Sequence, residues 1–241
     1  MTIKYNQLMK FKLPRSNIGQ ELIIFITQEL RRLKKVVPKV TKNNLEEMAT
    51  ICRAIEETGL PSYLALKKLP RDLGYGIFLR PDAKPILKGQ MIAPYSGKFY
   101  LAPQFEPDDS DYAFAPLSQI RLSKEDHEIF GGDRPWHPRR YYEILVDAAK
   151  MGNFTRFINH SAKPNVIADE FAVPSNSYGL TPAPIEIVYM ARKTIHPGEQ
   201  LLVCYEGEAD SYWGVVGIKP LPIVPRTFRL DASMKVIGEC P

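Results

Sequence analysis

Gly152-Asn153-Phe154-Thr155-Arg156-Phe157-Ile158-Asn159-His160-Ser161, followed by Pro164-Asn165, is the stretch whose reading decides the fold. Singly, its residues say little: a lone histidine such as His160 is ordinarily a hydrogen-bonded structural residue. As a run of typed positions in register, the stretch says far more. Three further clusters flank it. Upstream lie Gly74-Tyr75-Gly76, leading into Ile77-Phe78-Leu79, and Tyr95-Ser96-Gly97 at the end of an apolar run; downstream lies Pro197-Gly198-Glu199-Gln200-Leu201, ending at Tyr205. Gly74-Tyr75-Gly76 is no dinucleotide fingerprint, because the third glycine and the following helix are missing. By itself it reads as a tight turn before a strand, and Tyr95 by itself as a half-buried strand aromatic.

The rest of the chain divides at Pro70. Before it, Ile18, Leu22, Phe25, Ile26, Leu30 and Leu33 recur at helical spacing between Asn17 and Lys35, and Pro38 ends the pattern. A second helix is expected from Asn43 or Asn44 through Leu45, Met48, Ile51 and Ile55, stopping at Thr58-Gly59. Pro61 can open a short third helix over Ser62 to Leu69, closed by Pro70. After Pro70 come short β-prone runs: Gly76–Leu79, Met91–Tyr95, Ile144–Asp147, Ile185–Ala191 and Leu201–Tyr205, separated by turn-rich segments that hold most of the 21 prolines. Loops of that length are usually functional.

The 241 residues suffice for one sizeable domain plus an appendage, and 44% hydrophobic content fits a globular chain. No apolar run approaches the length that spans a bilayer, and Met1 to Lys12 lacks the apolar block of a secretory signal. Cys52, Cys204 and Cys240 are far apart without CxxC spacing, so neither a disulfide framework nor a cysteine zinc site is expected; a reducing compartment is the simplest setting. Charge is uneven. Residues 1–42 hold seven Lys and three Arg against Glu21 and Glu29, a net +8, which leaves −3 for the remainder of a chain whose total is +5. That basic segment is either a solvated helix surface or a binding face for nucleic acid or an acidic partner.

The four clusters together resemble the SET-domain protein lysine methyltransferases. Gly-Asn-x-x-Arg-Phe-x-Asn-His-Ser followed by Pro-Asn is similar to that family's signature, and Gly-Glu-x-Leu leading to Tyr205 to its closing motif. Gly74-Tyr75-Gly76 and Tyr95-Ser96-Gly97 are similar to its opening motifs. The resemblance covers about residues 71–214. It implies a mainly β fold of short sheets with a helical N-terminal region over 1–70, a SET domain over 71–214 with a threaded C-terminal segment, and an extension over 215–241. More loosely, it is similar to compact SET proteins of intracellular bacteria such as chlamydiae, which implies action in the cytoplasm or delivery to a host nucleus.

The resemblance further implies S-adenosylmethionine as cofactor, held by Gly74, Tyr75 and Gly76, by Asn159 and His160, and by Tyr112 in Asp111-Tyr112-Ala113-Phe114. Arg156 would pair with its carboxylate as a guanidinium fork. Tyr205 and Tyr95 are the expected catalytic residues, walling an apolar channel that disfavours the lysine ammonium and eases loss of its proton. No metal is implied: Ala162 stands where many members carry a cysteine, and the closing cysteine trio is missing. Tyr212-Trp213 are then the aromatics available to close the channel. Val203 stands where many members carry an aromatic that influences methylation degree.

The expected substrate is a Lys/Arg-rich protein, a histone or histone-like protein, drawn by acidic loops at Glu106, Asp108, Asp109, Asp111 and at Glu206, Glu208, Asp210; the plainer reading of those loops is solvated surface. The rival is a non-catalytic SET-fold chromatin or nucleic-acid-binding module. Retention of Tyr205, Asn159, His160 and the glycines argues against a degenerate site.

Overall fold

The structure is a computed structural model and describes residues 20–33, 42–70, 73–104, 110, 112–130, 135–171, 185–205 and 227–240. Two helices come first, α1 (Gln20–Arg32) and α2 (Lys42–Thr58). Both follow the apolar periodicity. Leu22, Phe25 and Ile26 of α1 and Met48, Ile51 and Ile55 of α2 are buried in the main core. Glu29, on the apolar face of α1, is also buried and is met by Arg32 one turn on, whose guanidinium Nε and Nη2 donate to its carboxylate. Gly59, at φ +79°, ends α2 in the left-handed conformation, with its N–H on the Ile55 carbonyl.

The third helix expected over Ser62 to Leu69 is not formed. Residues Leu64–Lys68 are a strand, β1, pairing antiparallel with β2 (Tyr75–Leu79) in register Leu64↔Leu79 to Lys68↔Tyr75. Leu, Ala and Lys favour helix in isolation, but five residues are too few to nucleate one, and the pairing partner decides. The strand also buries Leu64, Ala65 and Leu66.

Beyond β2 the chain is mainly β. A five-stranded sheet has the order β3-β9-β8-β10-β7, with β3 (Met91–Pro94), β7 (Asn159–His160), β8 (Val166–Phe171), β9 (Glu186–Ala191) and β10 (Leu202–Val203). Within it β10 runs parallel to both β7 and β8, while the other pairs are antiparallel. A three-stranded antiparallel sheet has the order β4-β6-β5, from β4 (Lys98–Pro103), β5 (Ala113–Ile120) and β6 (Tyr142–Asp147). A helix the periodicity did not signal, α3 (Lys124–Phe130), lies between β5 and β6; Ser123 accepts from the Asp126 N–H and donates to the Asp126 carboxylate, closing its first turn. Phe130 of α3 packs on Phe25 of α1 with ring centroids 5.0 Å apart.

The C-terminal hairpin, β11 (Thr227–Leu230) and β12 (Val236–Cys240), forms a second apolar cluster. Phe228 and Leu230 are buried against Ala65, Leu69 and Phe78 of the β1–β2 pair. The Leu230 N–H donates to the Gly198 carbonyl at 2.8 Å, and a Cβ on Gly198 (φ +83°) would lie 2.6 Å from the Leu230 oxygen. Arg229 reaches Glu199 at 3.5 Å.

Phe228→Ala is therefore expected to lower unfolding stability by about 3 kcal/mol. Urea denaturation followed by circular dichroism would show the midpoint shift; an unshifted midpoint would mean that the hairpin does not hold the β1–β2 pair.

Candidate active site

Four separate motifs reach one place because a few buried amides and main-chain bonds tie them together. Asn153 caps the 3-10 turn Phe154–Phe157, its Oδ1 accepting from the Thr155 N–H and hydroxyl. Its Nδ2 donates to the Pro94 carbonyl at 2.7 Å and to the Ser96 hydroxyl at 3.3 Å, so the central motif is fastened to the Tyr95 motif. Asn165 does the same for the closing motif. Its Nδ2 donates to the Gln200 carbonyl and its Oδ1 accepts from the Leu202 N–H, both at 2.8 Å. Both amides are buried, where unpaired polar groups are costly.

These ties seat β10 beside β7 with Leu202 opposite Asn159 and Val203 opposite His160. The chain then turns so that the Tyr205 N–H donates to His160 Nδ1 at 3.1 Å, with the two rings 5.4 Å apart. A neutral His160 accepting there carries its proton on Nε2. The Tyr205 hydroxyl donates to the Ile158 carbonyl at 2.8 Å. Although the residue is 52% exposed overall, that hydroxyl end is drawn out of water, and burial, with Tyr112 nearby, pushes its pKa up to about 12.

Tyr95 is buried, its hydroxyl donating to the Tyr112 carbonyl at 2.5 Å. Burial holds its pKa well above the ordinary tyrosine range, with Tyr205 and Asp147 adding to the effect. Its ring meets Tyr189 at 5.6 Å and Phe114 at 6.2 Å. Tyr189, which sequence reasoning did not single out, is thus a buried member of the aromatic wall; its position in the apolar run Ile185–Ala191 made it look like ordinary core.

On the other flank, Asn159 Nδ2 donates to the Tyr75 carbonyl at 3.0 Å, joining the central motif to Gly74-Tyr75-Gly76. The Tyr75 and Phe157 rings meet edge to face at 6.1 Å. The Arg156 guanidinium lies 4.5 Å from the Tyr112 ring centroid and 5.3 Å from that of Phe157, and donates to the Ala149 carbonyl. The two glycines have different reasons to be glycine. Gly74 sits at φ +74° with nothing within 4 Å of where a Cβ would project, so it faces open space. At Gly76 a Cβ would lie 2.6 Å from Nε2 of the buried Gln200, so this position is set by the closing motif packing onto β2.

All nine sequence-derived site residues therefore lie in one connected neighbourhood. Tyr212-Trp213 and the acidic residues Glu106, Asp108, Asp109, Asp111, Glu206, Glu208 and Asp210 lie outside the described residues. Among the described residues no three His, Cys, Asp or Glu side chains come together as a metal site would require, and no helix is long and apolar enough to cross a membrane.

The sequence matches the SET domain family over residues 74–206, more than half of the chain. The chain belongs to the SET-domain family. The match begins at Gly74 and ends one residue past Tyr205, so the SET region contains every candidate residue. It is similar to histone-lysine N-methyltransferase SUV39H1 of Xenopus laevis, 28% identical over 93 residues that are 39% of this chain and 18% of that protein. It is also similar to histone-lysine N-methyltransferase ash1 of Drosophila melanogaster, 26% identical over 174 residues, 64% of this chain and 6% of that one. The chain thus spans less than a fifth of the length of these curated relatives. Among solved structures, ATXR5 in complex with a mono-methylated histone aligns with a TM-score of 0.48 at 19% identity, over 74% of this chain and 73% of that one. Both of these curated relatives are named histone-lysine N-methyltransferases.

The raised Tyr205 pKa has a testable sign. Its folded value, about 12, exceeds the ordinary value of 10, so the associated stabilisation is fully present below about pH 10 and lost as pH rises toward 12. The stability difference between wild type and Tyr205→Phe should be flat below pH 10 and shrink above it, read by urea unfolding at a series of pH values. A difference that already changes between pH 7 and 9 would contradict the burial of this hydroxyl.

Proposed function

We propose that this chain is an S-adenosylmethionine-dependent protein lysine N-methyltransferase acting on histone or histone-like basic proteins. The observation that carries the reading is the meeting of Tyr205, with its hydroxyl on the Ile158 carbonyl, and the Asn159-His160 strand edge beside the Tyr95 aromatic wall. The open space beside Gly74 leaves room for a ligand against the main chain there. In this reading Gly74, Tyr75 and Gly76 offer main-chain groups to the amino-acid portion. Asn159 and His160 border the adenosyl portion. Arg156, backed by the Tyr112 and Phe157 rings, presents its guanidinium toward a carboxylate.

The bound cofactor supplies a sulfonium-activated methyl group, and the protein's work is alignment and desolvation. A lysine side chain entering between Tyr95 and Tyr205 leaves water for an aromatic wall, which disfavours its ammonium form and eases release of a proton to solvent. Tyr205, its pKa held at about 12, stays protonated at neutral pH. It therefore acts through its neutral hydroxyl, orienting the amine lone pair, and not as a general base. Tyr95 keeps its hydroxyl on the Tyr112 carbonyl and serves as a fixed wall.

The likeness in sequence to histone-lysine methyltransferases supports a histone-like substrate. The resemblance to compact SET proteins of intracellular bacteria would admit either DNA-packing proteins of the same cell or host histones.

The test is transfer of labelled methyl from S-adenosylmethionine to mixed histones, with the modified side chains mapped by mass spectrometry. Tyr205→Phe should lower kcat by about 100-fold while leaving cofactor affinity near wild type. Asn159→Ala should weaken cofactor affinity far more than Tyr205→Phe does. Absence of both transfer and cofactor binding in the wild-type protein would favour the non-catalytic SET-fold module instead.

A further inference from the structure

Strands β5 and β6 connect the site to a different surface. Ala113 opposite Asp147 marks their site end, where Ala148 donates to the Tyr112 carbonyl; Ile120 opposite Tyr142 marks the other end, five residues or about 17 Å away. Just past that far end, Arg121 follows β5, Tyr141 precedes β6, and residues 135–140 lead into Tyr141. The Arg121 guanidinium lies 4.8 Å from the Tyr141 ring centroid and donates to the Tyr141 hydroxyl. Trp136 donates its indole N–H to the Leu122 carbonyl at 3.1 Å, which fixes the ring at the surface while leaving 39% of the residue exposed. Arg140 donates to the Pro135 carbonyl at 3.1 Å, and His137 Nδ1 accepts from the Arg139 N–H at 3.2 Å.

Three properties of this surface go together. Arg121 and Arg139 are exposed and Arg140 partly so, yet no carboxylate among the described residues lies within ion-pair distance of any of them. The neighbouring acids of α3 do not cancel them: Asp126 is turned to Ser123 at the start of its own helix, and Glu125 and Glu128 form no ion pair to these arginines. Guanidiniums with no ion-pair partner among the described residues are notable here because residues 43–241 carry a net −3. Finally, the aromatic rings are held in place by hydrogen bonds of their own.

The Arg121 guanidinium held by the Tyr141 ring and the Arg140 guanidinium held by the Pro135 carbonyl match phosphate oxygens, Arg139 adds an exposed charge, and a fixed, half-exposed indole offers a face on which a base can stack. An acidic peptide would use the arginines and leave Trp136 without a role. We infer that Arg121, Arg139 and Arg140 with Trp136 form a docking surface for single-stranded nucleic acid, phosphates on the guanidiniums and a base on the indole. It lies at the opposite end of the β4-β6-β5 sheet from the site, so a strand held there leaves the Tyr205 side free. Its residues are also separate in sequence from the basic segment 1–42.

The experiment is fluorescence-anisotropy binding of a labelled single-stranded oligonucleotide to the full chain over a range of salt concentrations. The double variant Arg121→Ala/Arg139→Ala should bind at least tenfold more weakly, with a salt slope reduced by about 1.4, the value for two lost phosphate contacts on a single strand. Trp136→Ala should weaken binding about tenfold and leave the slope unchanged. Arg139 is exposed, so the Arg139→Ala single variant keeps the test open should Trp136→Ala fail to fold; it should still lose affinity and slope. Absence of binding, or equal affinity in the wild type and the arginine variants, would overturn the inference, the latter pointing to residues 1–42. Competition by polyglutamate as effective as that by unlabelled oligonucleotide, together with unchanged affinity in Trp136→Ala, would overturn it in favour of an acidic peptide. None of these readouts uses methyl transfer, so the inference and the proposed activity can fail separately.

Discussion

The carboxamide of Asn165 holds the last turn of the SET region in place, and the geometry of the site follows from it. One end donates to Gln200 and the other accepts from Leu202, so a single buried side chain grips the chain on either side of Leu201. The backbone of Asn165 adds a third bond, its N–H donating to the Leu202 carbonyl at 3.0 Å. A carboxamide is suited to this because it carries a donor and an acceptor in one plane, as a peptide group does. With β10 fixed, Ser161 donates to Val203, Leu201 donates to Ile77 of β2, and Tyr205 is delivered onto His160 and Ile158. Without it, two backbone groups buried beside the site lose partners at about 1–3 kcal/mol each.

The parts of the chain outside the family match lean on the same frame. Helices α1 and α2 contribute to the core cluster that includes Tyr95, Ile158, Leu201 and Val203. The C-terminal hairpin presses Phe228 and Leu230 onto Phe78, one residue on from Ile77, and pins the Gly198 turn from which the closing motif departs. The strand after Gly74-Tyr75-Gly76 is therefore held between the closing segment on one side and the hairpin on the other. This explains why Gly76 has no room for a Cβ while Gly74 does.

How much of this the sequence disclosed depended on the scale of the interaction. Helices α1 and α2 were readable because their apolar period is long, β2, β3 and β10 because each carries or adjoins a typed motif, and β6 and β9 because each is a short β-prone apolar run. Strand β1 was misread because Leu64-Ala65-Leu66-Lys67-Lys68 has helical propensity and its strand state comes from pairing with β2, which no local signal announces. Helix α3 had a signal that went unused, Ser123 three residues before Asp126. Strands β4 and β5 carry Pro103 and Pro116, which lower strand propensity, and β5 is irregular against β6. At the site, the chemistry-bearing residues were named in advance by family resemblance. Their supports, Asn153 and Asn165, stood in the quoted motif without an assigned task, since their work is to bond main-chain groups distant in sequence. Tyr189 was hidden in an apolar run, where a tyrosine looks like any other core aromatic.

Cofactor binding here depends on the closing strand that Asn165 holds. Calorimetric titration of S-adenosylmethionine into the wild-type protein and into Asn165→Ala, each checked for folding by circular dichroism, addresses this directly. Saturable binding at one site in the wild type, weakened at least tenfold in a still-folded Asn165→Ala, is the predicted result. No binding to the wild type, or equal affinity in the two proteins, would contradict it.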